Sequence, residues 1–101
     1  MAFSHIVVFW TDPAKPEAAA ALIGGAKKYL NHQPGILHFH VGTMVKSERP
    51  VVDQSYAVAL NIVFDTKQSH DDYQVDPAHV EFVDKVFKPN CTQVTIYDFE
   101  G

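Results

Sequence analysis

Tyr73-Gln74-Val75-Asp76-Pro77-Ala78-His79-Val80-Glu81-Phe82 places a helix start, a phenol and an imidazole within ten residues. Asp76 followed by Pro77 has the chemistry of an N-cap and a first helical position. The carboxylate accepts backbone N–H groups that a first turn leaves unpaired, and proline lacks an N–H that would have had no partner. A helical piece is therefore predicted over 77–87, with Val80, Val83 and Phe87 as its apolar stripe and Pro89-Asn90 as its stop. Residues 66–73 just upstream read as a second, shorter helix. This helical stretch falls between two strand-like segments, and its position in that order decides the fold.

Working upstream, residues 55–65 alternate as a half-buried strand does, with Tyr56, Val58, Leu60, Ile62 and Phe64 on one side. Ala57, Ala59, Asn61 and Val63 occupy the other, an unusually small face. A polar loop, Lys46-Ser47-Glu48-Arg49-Pro50, separates this strand from one over 36–41 that ends at Gly42. There Leu37, Phe39 and Val41 are expected on one face and Ile36, His38 and His40 on the other. Pro16-Glu17 opens a helix whose apolar positions are Ala19, Leu22, Ile23, Ala26, Tyr29 and Leu30, with Lys27 and Lys28 favourable near its C-terminal end. Gly24-Gly25 weakens it by roughly 1 kcal/mol per glycine relative to alanine. Either a close backbone approach justifies the pair or it is a plain loss of helicity. Residues 2–11 and 92–99 form the first and last strands. The order strand, helix, strand, strand, helix, strand is the α+β, ferredoxin-like βαββαβ arrangement, a four-stranded antiparallel sheet with helices on one face. Its other face carries Ile6, Val8, Trp10, Ile36, two alanines and Tyr97. An apolar patch of that kind predicts a homodimer.

A chain of 101 residues with 47% hydrophobic and 20% charged residues is expected to form a single domain over 1–101 with one core. A net charge of −4 without a basic cluster gives no footprint for nucleic acid. Cys91 stands alone, so no intramolecular disulfide or cysteine-rich zinc site exists. Ile6-Val7-Val8-Phe9-Trp10 is too short for a membrane span or a signal core. The expectation is a cytoplasmic protein without membrane association. A Gly-rich phosphate loop, a nucleophile elbow and an HExxH helix are all missing, and no cofactor is called for.

The opening Ser4-His5-Ile6-Val7-Val8-Phe9, the Pro34-Gly35…Val41-Gly42 segment, the run over 76–82 and the terminal Ile96-Tyr97-Asp98-Phe99 together resemble the stress-responsive A/B barrel domain family, the dimeric α+β barrel group. The resemblance implies two ferredoxin-like protomers whose sheets close into one barrel, with helices outside. Most members have no assigned activity. For a polyketide-cyclase member, the resemblance places the catalytic tyrosine and histidine on Tyr73 and His79 and a strand-one pocket histidine on His5. Asp76 stands where that enzyme has histidine, and Val58 where it has another.

The candidate pocket between sheet and helices takes His79, Tyr73 and His5 as its chemical groups and Val7, Phe9, Leu22, Val58, Leu60, Val80 and Phe82 as its binding wall. Two functional readings stand. One is a dimer of unassigned role that binds a small, partly apolar carbonyl compound, or whose pocket is filled by side chains. The other is a cofactor-free acid/base enzyme of cyclase, isomerase or lyase type, in which neutral His79 removes a proton beside a carbonyl and Tyr73 stabilises the oxyanion. A cavity of about 300 Å³ or more, at the lower end for ligand pockets, would favour ligand chemistry. His38 and His40 offer only two ligands from one strand face, too few for a metal site. His32 reads as a partner of a helix C-terminus, and His70, beside Asp71 and Asp72, as solvated surface.

Overall fold

A computed structural model describes residues 1–101. Four strands, β1 (Phe3–Trp10), β2 (Ile36–Thr43), β3 (Val58–Phe64) and β4 (Gln93–Glu100), form one sheet in the order β2-β3-β1-β4. Every neighbouring pair is antiparallel. Helix α1 (Ala18–Tyr29) connects β1 to β2. Between β3 and β4 run α2 (Lys67–Val75), α3 (Pro77–Phe82), a π-helical turn Val83–Phe87 and α4 (Lys88–Asn90). The ferredoxin-like βαββαβ order is the one read from the sequence.

β1 is central, and its period of two divides its work. Phe3, His5, Val7 and Phe9 are buried under the helices, while Ser4, Ile6, Val8 and Trp10 are half-buried on the opposite face. Val58, Leu60, Ile62 and Phe64 of β3 join the helix-side face, each no more than 1% exposed. Leu22, Ala26 and Leu30 of the α1 region and Phe82 of α3 close the same core. By register Val94, Ile96 and Asp98 of β4 stand beside Phe9, Val7 and His5. Tyr97 pairs with Ile6 on the outer face.

Three expectations about local structure change. β2 is irregular: Ile36 pairs with Phe64 but His38 pairs with Val63, so Leu37 is an extra residue. A bulge of this kind shifts the alternation. It puts Ile36 with Phe39 and Val41 on the helix side and leaves Leu37 65% exposed, the reverse of what strict alternation predicts. The expected third strand is shorter at its start, because Ser55 accepts a hydrogen bond from Trp10 Nε1 (3.1 Å) and donates through its backbone N–H to Asp53 (2.8 Å) instead of joining the ladder. The two glycines of α1 also differ. A Cβ at Gly25 would meet Val86 Cγ1 at 2.6 Å, whereas one at Gly24 has nothing within 4 Å. Close approach explains Gly25 and plain loss of helicity describes Gly24.

Candidate functional site

Asp76 ends α2 and caps α3. Its extended backbone breaks the helix, and its Oδ2 accepts from the Ala78 N–H at 2.9 Å. That break turns Tyr73, at the end of α2, and His79, in the first turn of α3, toward the same space. Their rings meet edge to face with centroids 4.8 Å apart. His5 reaches the same place from β1, with its ring 5.7 Å from that of Tyr73.

These three side chains help line a cavity of about 140 Å³, walled mainly by Val7, Phe9, Leu60, Phe82, Val83 and Phe87. Its volume is below the 300 Å³ set above and close to the ~150 Å³ that admits a benzene-sized guest. Leu30, Gln74, Val94 and Ile96 complete the wall. Four of the expected seven wall residues, Val7, Phe9, Leu60 and Phe82, are there. Leu22 and Val58 are not: each is sealed in the core, at 1% and 0% exposure. Val80 is 50% exposed, because the helix presents Phe82 and Val83 inward and turns Val80 to solvent. The missed members Val94 and Ile96 come from β4, and only the β1–β4 register reveals that they share a face with Phe9 and Val7.

The electrostatics keep these groups neutral. Burial lowers the His79 pKa below its usual 6.5, the His5 and His70 rings add to that, and Asp76 opposes it weakly. Burial also lowers the pKa of His5 and outweighs the opposing effect of Asp98. The neutral His5 ring donates from Nδ1 to Asp98 Oδ1 at 2.6 Å. Tyr73 is pushed well above its ordinary value of 10, again by burial, and stays a phenol. Neither the Tyr73 hydroxyl nor the His79 ring is hydrogen-bonded to another protein group, and both side chains face the cavity. A neutral imidazole and a neutral phenol so arranged can accept and donate one hydrogen bond each to a guest.

His70 is buried, at 8% exposure, and is not the solvated surface residue expected from its neighbours; it packs against Phe3, His5, Phe64 and Tyr73 at centroid distances of 4.4, 4.7, 5.6 and 6.2 Å. The signal was present in the sequence: His70 lies three residues before Tyr73, on the same helical face. His38 and His40 project from the outer sheet face with ring centroids 6.3 Å apart. His32 Nε2 lies 2.7 Å from the Lys28 carbonyl at the end of α1, as a C-terminal partner does.

A family model described as the stress responsive A/B barrel domain matches residues 3–101. No curated protein matches the chain. Among solved structures, At3g17210 from Arabidopsis thaliana is 26% identical, with 98% of this chain and 94% of that one covered and a TM-score of 0.78. A dimeric ferredoxin-like protein of unknown function from Thermobifida fusca is 18% identical over 98% and 90% of the two chains, with a TM-score of 0.80. A hydroxynitrile lyase from Passiflora edulis is 18% identical over 97% and 91%, with a TM-score of 0.74.

Proposed function

The chain belongs to the stress-responsive A/B barrel domain family, and on that premise we propose a single-domain, cytoplasmic homodimer whose pocket binds a small, partly apolar carbonyl compound. The observation that carries this reading is a mainly apolar cavity lined also by two neutral polar groups without protein partners, the Tyr73 hydroxyl and the His79 ring. A carbonyl oxygen accepts from the phenol while the hydrocarbon part fills the space among Phe9, Phe82 and Phe87. The dimer is supported by the outer face bearing Ile6, Val8, Trp10 and Ala59, which no helix covers, and by the dimeric neighbour. Titration with cyclohexanone, followed by two-dimensional NMR, tests the pocket. Shifts centred on Val7, Leu60 and Phe82 that Leu60→Phe abolishes are expected. Shifts absent, or confined to the outer sheet face, would overturn the reading.

A second reading rests on His79 and Tyr73 lining the same cavity: the cofactor-free acid/base enzyme of polyketide-cyclase, isomerase or lyase type. Here His79 removes the proton from the carbon next to the carbonyl, Tyr73 donates to the developing oxyanion, and His5, tied to Asp98, flanks the phenol. Hydrogen–deuterium exchange at the α-carbon of a bound ketone separates the two readings. Exchange lost in both His79→Ala and Tyr73→Phe, with ligand binding retained, identifies catalysis. Binding without any exchange leaves the ligand-binding dimer.

A further inference from the structure

Behind the pocket, His5, His70 and Asp98 converge from three elements. His5 and Asp98 are register partners on β1 and β4, and α2 lays His70 across them. One ligand atom from each of the three lies within 4.8 Å of the other two. Two imidazoles and one carboxylate are the donor set that first-row transition dications take with open coordination positions.

The state of His70 points to a ligand. Its Nδ1 lies 3.2 Å from Asp71 Oδ1 and donates to that carboxylate. With that proton on Nδ1, the neutral form of the ring carries its lone pair on Nε2. That Nε2 is buried without any hydrogen-bond partner. A buried polar atom left in this condition is costly, and a carboxylate behind a histidine is the usual outer support of a metal-bound imidazole. We propose that His5, His70 and Asp98 form a binding site for one transition-metal dication of the zinc class, with its open positions toward the pocket side that His5 lines.

Binding needs modest rearrangement. The 2.6 Å gap between His5 Nδ1 and Asp98 Oδ1 opens to admit the ion, and His70 closes in, so that each donor sits about 2.0–2.2 Å from the metal. The neutral His5 ring shifts its proton from Nδ1 to Nε2, freeing the Nδ1 lone pair without net proton loss. Asp98, whose side chain is 38% exposed, gives the ion its way in from solvent. The site is separate from the outer-face pair His38 and His40.

The test titrates the metal-stripped full-length protein with CoCl2 and ZnCl2, reading the visible d–d bands of Co2+ and the heat of Zn2+ binding. One ion per chain is expected, with Co2+ bands typical of mixed nitrogen and oxygen ligation that Zn2+ displaces. Asp98→Ala and His70→Ala should each weaken binding at least 100-fold, and Asp71→Asn, which touches only the support, about 10–100-fold. His38→Ala/His40→Ala should leave it unchanged. Asp98 is exposed, so Asp98→Ala keeps the test sound should His70→Ala fail to fold. Absence of stoichiometric binding overturns the proposal. So does binding that survives Asp98→Ala or disappears in the His38/His40 double variant.

Discussion

Replacing Gly25 and Gly24 of α1 by alanine, one at a time, should move stability in opposite directions although the two sites are adjacent. At Gly24 nothing lies within 4 Å of the added Cβ, so the intrinsic helix preference acts alone and alanine stabilises by roughly 0.8–1 kcal/mol. At Gly25 the new carbon would lie 2.6 and 2.8 Å from the two methyl groups of Val86. Carbon contacts are most favourable at about 3.5–4.0 Å, so about 1 Å of overlap must be relieved. Val86 is β-branched and has few other rotamers to adopt. Overpacking of this kind costs about 1–3 kcal/mol. The propensity gain of roughly 0.8–1 kcal/mol offsets part of it, leaving a net loss of about 0–2 kcal/mol and a difference of about 1–3 kcal/mol between the variants. Urea unfolding with an unchanged m-value reads that difference as a shift in midpoint. Val83 and Phe87, in the same π-helical turn as Val86, wall the pocket, so Gly25→Ala should also weaken ketone binding while Gly24→Ala leaves it alone. Equal stability for the two variants, or a more stable Gly25→Ala, would refute the close-approach argument.

Asp76→Ala should cost about 0.5–2 kcal/mol through loss of the cap on Ala78, read by denaturant titration. Stability should also fall as the solution is acidified below pH 6.5. His5 and His79 have folded pKa values held below 6.5 by burial, so the unfolded chain takes up protons first. Their contribution is complete above that pH and is lost as pH drops through the folded values. Unfolding midpoints measured between pH 7.5 and 5 should show this, with a smaller slope in His79→Gln. Ala59→Arg, on the outer face, should convert a dimer to a monomer in sedimentation and leave the helical content intact, and a wild-type monomer at micromolar concentration would remove the dimer proposal.

The fold was legible because its signals are local. Asp76-Pro77, the alternation around Leu60 and the α1 stripe each act within a few residues, and their order leaves one simple topology. The site was legible where one short stretch of chain supplies it: Tyr73 and His79 lie six positions apart on either side of a visible cap. It was not legible where two distant strands meet. Nothing near Asp98 in the sequence announces that β1–β4 pairing sets it against His5, and the β4 wall residues Val94 and Ile96 were hidden for the same reason. His70 was misread because neighbouring aspartates suggested solvent, whereas the helical face it shares with Tyr73 determines its burial. Leu37 shows the limit of strict alternation, since one bulge reverses the assignment of Ile36.

The π-helical turn Val83–Phe87 makes the pocket sensitive to insertion and deletion in a way that substitution cannot imitate. A π-turn holds one residue more than the α-helical turn it replaces. Removing a single residue from it would tighten the turn to α-helical geometry and leave the residues beyond it close to their present orientation, because the wide turn is what absorbs the extra residue. Val83 and Phe87, which stand in the turn and wall the cavity, would change their spacing, while the Asp76 cap and His79 upstream kept their places. The part of the pocket wall that the turn supplies can thus be redrawn in one discrete step of chain length without disturbing Tyr73 and His79. Among descendants of such a sequence, differences in guest size should follow gaps and insertions in this turn more closely than exchanges of one apolar side chain for another.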